Sequence, residues 1–89
     1  MIREKIIIRE PAGIDLRLAG VLCEKAIEYS SEITLKRGKT SANAKSLLSV
    51  LGACIKCEDE IELICSGDDE IAAHDELCSI LRRKEEKDN

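Results

Sequence analysis

The order of strand-like and helix-like segments constrains the fold of this 89-residue chain more than any other feature. Its apolar residues recur in some segments with a period of two, which is typical of strands, and in others with the spacing of helices. Together they predict the order β-α-β-β-α-β-α. A sheet with apolar residues on one face needs all of its helices on that face. We therefore predict an α+β fold, an open-faced sandwich in which three helices cover one face of a four-stranded antiparallel sheet.

The segments are separated by proline, glycine and other turn residues. The predicted strands cover residues 1–8, 32–36, about 40–42 and 60–66, and the predicted helices cover 16 to about 28, a segment ending near 53, and a last one after Gly67. Asn43 or Ser46 can cap the second helix. Since no repeat or linker is visible, we expect a single domain over residues 1–89, with a charged tail from about residue 82 that frays.

Composition and charge exclude several classes of function. The formal net charge is −4, acidic and basic residues are interleaved, and Tyr29 is the only aromatic residue. Without a basic stripe or aromatic side chains that stack on bases, we expect no direct contact with nucleic acid. No apolar run is long enough to cross a bilayer, and the N-terminus lacks a signal-peptide segment. We therefore expect no membrane contact and a cytoplasmic location.

Five cysteines are spread along the chain, at positions 23, 54, 57, 65 and 78. An odd number cannot all pair within one chain, and in a reducing cytosol we expect free thiols. Cys54 and Cys57 have the C-x-x-C spacing of zinc and redox sites, but a zinc site needs about four ligands and no second pair accompanies them. We expect no metal and no cofactor, and a thiol or metal module at Cys54 and Cys57 stays open as an alternative.

His74 is the only histidine of the chain. Helical spacing places it between Ile71 and Cys78, on the side of the last helix that is expected to pack on the sheet. We therefore expect His74 to be a packing residue and not a nucleophile.

One candidate site lies at the start of the first predicted helix, in the segment GIDLRLA at residues 13–19. The free N–H groups and partial positive charge of a helix start favour an anion such as phosphate, and Arg17 could add a forked contact. Asp15 stands at the junction, and a carboxylate is a weaker nucleophile than a neutral imidazole near pH 7. Three interpretations of Asp15 stay open: a helix cap, a fixed charge that imitates a phosphorylated loop, and an acceptor that forms an acyl phosphate.

A second candidate site lies where the second helix begins, in the segment NAKSLLSVL at residues 43–51. A serine at a helix start is a common cap. A phosphate on Ser46 would also be favoured there by the helix dipole and the free N–H groups, with Lys45 as a counter-charge. We expect such a modification to change the charge of a surface patch without unfolding the helix.

Both segments resemble the HPr family, the small phosphocarriers of the bacterial phosphoenolpyruvate:sugar phosphotransferase system. The loop of that family usually runs Gly, Ile or Leu, His, Ala, Arg, Pro, Ala. Gly13, Ile14, Arg17 and Ala19 match it, whereas Asp15 stands in the place of the acceptor histidine. The resemblance covers nearly the whole chain and places Ser46 at the serine that an ATP-dependent kinase modifies in low-GC Gram-positive bacteria.

The resemblance thins after Ala53. At Cys54 and Glu58 the HPr family commonly has glycine. The connection beside the candidate loop is therefore where this chain departs most from the family.

The resemblance implies an HPr-like fold and a role in the phosphotransferase system. Without the acceptor histidine, the chain is similar to HPr paralogues that act with a transcriptional regulator in carbon catabolite repression. We therefore predict a regulatory or adaptor protein, not an enzyme, that is controlled at Ser46 and cannot carry phosphohistidine. The predicted partners are a serine kinase and a transcriptional regulator of carbon metabolism. The predicted contact surface comprises Arg17, Lys45, Ser46, Leu47, Leu48 and Leu51.

Three alternatives stay open beside this hypothesis. The first is a phosphocarrier that uses Asp15 as the acceptor. The second is the thiol or metal module at Cys54 and Cys57. The third is the same fold retained in another pathway, with no phosphate chemistry.

Overall fold

The computed structural model describes residues 1–82, and their secondary structure follows the predicted order β-α-β-β-α-β-α. The elements are β1 (Ile2–Ile7), α1 (Leu16–Ala26), β2 (Glu32–Arg37), β3 (Thr40–Asn43), α2 (Leu47–Gly52), β4 (Glu60–Ser66) and α3 (Glu70–Arg82). The expected frayed tail lies outside the described residues from position 83 onward. Within residues 1–82 no helix is long and apolar enough to span a bilayer.

The four strands form one antiparallel sheet in the order β1-β4-β2-β3. β4 pairs with β1 on one side, where Ile6 is the partner of Ile61, and with β2 on the other side, where Leu35 is the partner of Leu63. β2 and β3 form a hairpin whose turn contains Gly38, with a φ of 59° in the left-handed region that favours glycine. The predicted antiparallel sheet is confirmed.

Alternation along the strands separates a buried face of the sheet from an open one. Ile6 and Ile8 are buried while Ile7, between them, is exposed. On the open face, Lys5 of β1 is the partner of Glu62 of β4. Opposite charges on directly paired residues suit a sheet face in contact with water.

The three helices supply the other half of one hydrophobic core. α1 contributes Leu22, α2 contributes Val50 and α3 contributes Leu77, all of them fully buried in the same cluster as the apolar strand residues. The chain has no Phe or Trp, so aliphatic side chains and cysteine fill this core. Full burial of each Leu, Ile or Val contributes about 1.5–3 kcal/mol. The predicted fold, with helices on one face of the sheet, is confirmed.

α1 is shorter than the sequence pattern predicted. It ends at Ala26, whereas the pattern predicted an end near Glu28. Beyond that point the N–H groups of Glu28 and Tyr29 donate to carbonyls three residues back, at 3.1 and 3.2 Å. This spacing belongs to a 3₁₀-type turn, which tightens the end of a helix. The apolar spacing that continued to Ile27 was misleading, since the side chain of Ile27 is 61% exposed.

Candidate functional site

Asp15 is the N-cap of α1. Its backbone is extended, with φ −85° and ψ −173°, and its Oδ1 accepts a hydrogen bond from the N–H of Leu18 at 3.0 Å. Its carbonyl oxygen accepts the first hydrogen bond of the helix, from the N–H of Ala19 at 2.8 Å. A charged side chain therefore already occupies one of the N–H groups that a free helix start would offer to an anion.

Arg17 is the second residue of α1, and its side chain is exposed. Arg3, Arg9 and Arg37 each lie within 4 Å of a carboxylate. Arg17 has no such partner, and no hydrogen bond of its side chain, among residues 1–82. It is therefore available to a ligand or a partner beside the N-cap.

The loop before α1 packs against the connection between α2 and β4, residues 53–59, which we call the α2–β4 connection. The N–H of Ile14 donates to the carbonyl of Ile55 at 3.0 Å. Gly13 has a φ of 68°, and a Cβ at this position would lie 2.7 Å from the carbonyl oxygen of Ile55 and 2.8 Å from the Cα of Lys56. Both the backbone conformation and the close approach therefore require glycine at position 13.

Two residues of the α2–β4 connection have the backbone conformation that favours glycine. Cys54 has a φ of 53° and Glu58 a φ of 78°, and no other non-glycine residue within 1–82 has a positive φ. They occupy the two positions at which the resemblance to HPr thins because that family commonly has glycine. The connection therefore follows a path suited to glycine, at a cost of about 1 kcal/mol for each side chain.

Arg37, which the sequence analysis did not single out, holds the same connection to β2. Its guanidinium donates to the carbonyl of Ala53 at 2.7 Å, and its Nε lies 3.7 Å from Oδ2 of Asp59. Asp59 in turn accepts a hydrogen bond from the N–H of Lys56 at 2.8 Å. No local signal marks Arg37, because an arginine at the end of a strand beside a glycine turn is ordinarily solvated.

α1 and α2 pack together and run antiparallel. The start of α2 lies beside the C-terminal half of α1, where the thiol of Cys23 donates to the carbonyl of Lys45 at 3.2 Å. The segment after α2 lies beside the loop before α1, through the hydrogen bond from Ile14 to Ile55. Cys23 is six residues from Arg17, about 9 Å along the helix axis. The two candidate sites therefore lie at different ends of one helix pair.

The outer side of this helix pair carries exposed apolar side chains. Leu48 is 82% exposed and Leu47 is 36% exposed, whereas Leu51 packs partly on the core. Leu16, at the start of α1, is exposed as well. We call the predicted contact residues on these two helices the α1–α2 ridge: Arg17, Lys45, Ser46, Leu47, Leu48 and Leu51.

Ser46, and not Asn43, is the N-cap of α2. Its Oγ accepts a hydrogen bond from the N–H of Ser49 at 3.2 Å. Asn43 instead shapes the turn before the helix: its Oδ1 accepts from the N–H of Lys45 at 2.9 Å, and its own N–H donates to Oγ of Ser49 at 2.9 Å. The hydroxyl of Ser46 is therefore oriented at the helix start by hydrogen bonds within residues 43–49.

Lys45, the expected counter-charge for a phosphate on Ser46, also makes a contact near the end of α1. Its ammonium group donates to the carbonyl of Tyr29 at 2.6 Å, just beyond the end of α1. A cation in that place complements the negative end of the helix dipole. The sequence could not show this, because it depends on how α1 and α2 pack.

All five cysteines are free thiols, as expected. Cys65 and Cys78 are buried, and burial raises the pKa of both thiols, that of Cys65 to about 11. Cys54 is exposed and Cys57 is half-buried. No further His, Cys, Asp or Glu within residues 1–82 joins these last two in a three-ligand cluster.

His74 lies at the rim of the packed face of α3 and contacts β1. Its Nε2 is 2.5 Å from Oε1 of Glu4, and its Nδ1 is 3.1 Å from Oδ1 of Asp75. Burial opposes protonation of the ring, but the hydrogen bonds to the two carboxylates outweigh it and raise the pKa of His74. The expectation that Ile71 shares the packed face is wrong, since Ile71 is 68% exposed.

An open-faced sandwich with a glycine-dependent loop that leads into an N-capped helix defines a class of small α+β proteins. Its similarity to known proteins identifies that class. The family model described as the PTS HPr component phosphorylation site matches residues 2–83. The chain belongs to the HPr family, which is named for the HPr component of the phosphotransferase system.

Relatives and solved structures agree with this assignment. The phosphocarrier protein HPr of Treponema pallidum is 30% identical over 88 residues, 99% of this chain and 100% of that protein. The HPr-like protein Crh of Bacillus subtilis is 25% identical over 84 residues, 94% of this chain and 99% of that protein. The structure of a Mycoplasma histidine-containing phosphocarrier protein superposes with a TM-score of 0.86 at 29% identity, covering 89% of this chain and 90% of that one.

Proposed function

We propose that this chain is a regulatory or adaptor protein of the phosphotransferase system, acting as one domain in the cytoplasm. It binds protein partners through the α1–α2 ridge, it is controlled by phosphorylation of Ser46, and it does not carry phosphohistidine. It acts by contact and not by catalysis.

The observation that carries this proposal is the state of Asp15. A phosphocarrier loop needs a nucleophile with a free lone pair beside the helix start, and a neutral imidazole serves well near pH 7. Here the side chain is a carboxylate whose Oδ1 accepts the hydrogen bond of the Leu18 N–H. The negative charge of Asp15 also opposes the approach of a second anion to this loop.

The α1–α2 ridge supports a role in binding. Leu47 and Leu48 are exposed side by side on α2, which is unfavourable in water unless a partner covers them at times. Arg17 adds a cation without a partner among residues 1–82. Apolar anchors with an arginine at the edge are typical of protein interfaces.

Ser46 supports the proposed regulation. Its hydroxyl lies between Lys45 and the exposed Leu47, so a phosphate there would add a charge of about −2 to the ridge. A serine kinase and a transcriptional regulator of carbon metabolism are the proposed partners. Among the relatives, the Bacillus subtilis protein Crh is described as the catabolite repression HPr.

The test presents the purified protein to two phosphodonor systems and locates the label by mass spectrometry. With ATP and an HPr serine kinase, we expect one phosphate on Ser46, stable in acid. With phosphoenolpyruvate and enzyme I, we expect no label. Ser46→Ala should abolish the first label, whereas the matched change Ser49→Ala, one turn further along α2, should leave it.

Other outcomes would favour the alternatives. Label from phosphoenolpyruvate that is removed by hydroxylamine and lost in Asp15→Asn would establish Asp15 as an acyl-phosphate acceptor. No label from either donor would contradict the proposal and favour a fold retained without phosphate chemistry. Asp15→His, labelled by enzyme I, would show that the rest of the loop still supports transfer.

A further inference from the structure

A cluster of three metal-binding side chains lies where α3 packs on β1, outside the α1–α2 ridge. His74 and Cys78 are four residues apart on α3, and therefore lie on the same side of the helix. Glu4 belongs to β1. One ligand atom from each of the three residues lies within 4.8 Å of the others.

Glu4 lies on the face of β1 that carries the buried residues of this strand. It has the same parity along β1 as Ile6 and Ile8, which are fully buried, and it pairs with the buried Leu63 of β4. Its side chain is only 31% exposed. A carboxylate on the core face of a strand costs desolvation and is kept only where it has strong partners.

The donor set has the chemistry of a transition-metal site. A thiolate, an imidazole and a carboxylate are the three types of ligand that Zn²⁺ takes, at distances of about 2.0–2.3 Å. Ligand atoms around a tetrahedral zinc ion lie about 3.3–3.8 Å apart. Atoms that lie within 4.8 Å of one another, with Nε2 of His74 2.5 Å from Oε1 of Glu4, need only small side-chain rotations to reach that arrangement.

A second layer of contacts orients the ligands. Asp75 lies 3.1 Å from Nδ1 of His74, so that a proton held there leaves Nε2 to face Glu4. The other oxygen of Glu4, Oε2, is 2.7 Å from the guanidinium of Arg82, which leaves Oε1 for the cluster. Histidine ligands of zinc commonly donate their second N–H to a carboxylate in this way.

The charges also match a divalent cation. Nε2 of a Nδ1-protonated ring and the carboxylate oxygen of Glu4 both present lone pairs, so a cation must lie between them, and that cation is a proton or a metal ion. Glu4 and a Cys78 thiolate would together neutralise M²⁺, while the charges of Asp75 and Arg82 cancel. Binding releases the thiol proton of Cys78 and the proton shared by His74 and Glu4 to the solvent.

We infer that Glu4, His74 and Cys78 form a binding site for one divalent transition-metal ion, with Zn²⁺ as the best fit and water as the fourth ligand. Three protein ligands and one open position give a coordination distinct from the closed four-ligand structural sites. The metal would join β1 to α3, because Glu4 comes from one and His74 and Cys78 from the other.

The test titrates Co²⁺ into the tag-free protein in the presence of a non-thiol reductant. We expect saturation at one equivalent, with the near-ultraviolet charge-transfer band of a cobalt–thiolate bond. Cys78→Ser should remove the band, and His74→Gln should weaken binding at least tenfold. The matched control Cys54→Ser/Cys57→Ser keeps the cluster intact and should keep the band.

The wild-type chain offers a second measurement that needs no variant. Since His74 is its only histidine, the two imidazole ¹⁵N signals of the protein belong to one ring. One equivalent of Zn²⁺ should shift Nε2 far more than Nδ1, and a chelator should reverse the shift. An unshifted ring, binding that does not saturate near one equivalent, or a cobalt–thiolate band lost in the Cys54/Cys57 control and kept in Cys78→Ser would each overturn the inference.

Discussion

The starts of α1 and α2 share one cap geometry and differ in chemistry. At each of them the N-cap side chain accepts a hydrogen bond from the N–H three residues further on, Asp15 at 3.0 Å and Ser46 at 3.2 Å. Asp15 brings a carboxylate, whose charge is built into the sequence. Ser46 brings a neutral hydroxyl, to which a kinase can add charge. The same local structure can therefore serve as a fixed site or as a switchable one.

The two helix starts also differ in what supports them. The loop before α1 is held by contacts with a part of the chain some forty residues away, through Gly13 and Ile55. The turn at the start of α2 is closed by a local hydrogen bond between Asn43 and Ser49. Lys45 joins the same turn to the C-terminal half of α1 and to the residues just after it, through Cys23 and Tyr29. Both helix starts thus have long-range contacts, but of the two only the loop before α1 depends on a close backbone approach at a glycine. The predictions below test that contrast.

The largest effect is expected from Gly13→Ala. The new Cβ would lie under 3.0 Å from backbone atoms of the α2–β4 connection, and the left-handed backbone adds strain. We expect a loss of about 3 kcal/mol in the free energy of unfolding, measured by urea denaturation.

Gly38→Ala is the control for this change. Gly38 has a similar φ, 59°, but open space around it. The variant Gly38→Ala should therefore lower the free energy of unfolding by only about 1 kcal/mol. Equal losses for both variants would show that the close approach to the α2–β4 connection does not hold the loop.

Removal of each cap is expected to have an intermediate effect. Asp15→Ala should lower the free energy of unfolding by about 1.5 kcal/mol and Ser46→Ala by about 1 kcal/mol, because only the first also removes a charge from a helix N-terminus. Asp15→Asn keeps an acceptor and should recover most of the first loss. If Ser46→Ala costs more than Asp15→Ala, the charge of Asp15 contributes nothing to its cap.

A smaller and opposite effect is expected from Cys54→Gly. Glycine removes the strain of the left-handed backbone at position 54. The greater freedom of glycine in the unfolded chain offsets part of this gain, so the free energy of unfolding should rise by about 0.5–1 kcal/mol. Glu58→Gly should gain less, because it also removes the ion pair with Arg9.

Cys57→Gly is the matched control, since Cys57 lies in the same connection without a positive φ. It should lower the stability, because glycine adds freedom to the unfolded chain there and removes a half-buried side chain. A gain from Cys57→Gly as large as that from Cys54→Gly would contradict the strain assigned to Cys54.

The last prediction concerns how stability depends on pH, and the change it describes occurs only in acid, below about pH 4. Asp69, directly before α3, accepts hydrogen bonds from the hydroxyl of Ser31 and from the N–H groups of Ser30 and Ser31, and these lower its pKa to about 2. A lowered pKa means that stability is present above pH 4 and is lost as the pH falls toward 2. The urea midpoint of the wild type should therefore fall across that range.

Asp69→Asn should flatten this dependence on pH. The exposed neighbour Asp68 makes no hydrogen bond with its side chain among residues 1–82, so Asp68→Asn should leave the dependence unchanged. An equal slope for the wild type and Asp69→Asn would assign the acid sensitivity to other carboxylates whose pKa is lowered by hydrogen bonds, Glu4 and Glu70.

The sequence predicted features that depend on local periodicity. The alternating pattern along β1 correctly indicated that Ile6 and Ile8 share the buried face, because successive side chains of a strand point to opposite faces of the sheet. Spacing also predicted that the first helix begins at Leu16, as observed. It could not predict the place of Lys45 or of Glu4, since each depends on a partner from another element, Tyr29 in one case and His74 in the other. The spacing of His74 and Cys78 was visible in the sequence, but only the fold brings Glu4 next to them.

The order of strands has a consequence for how the molecule forms during synthesis. β1 lies at the edge of the sheet and pairs only with β4, so that Ile2 can pair only after its partner Cys65 has been synthesised. The ribosome makes about fifty residues between the two strands, and α1 and the β2–β3 hairpin leave the exit tunnel earlier. A contact so distant in sequence is slow to form, so β1 stays unpaired in the nascent chain for longer than any other strand. The exposed isoleucines of β1 are therefore where a chaperone would act.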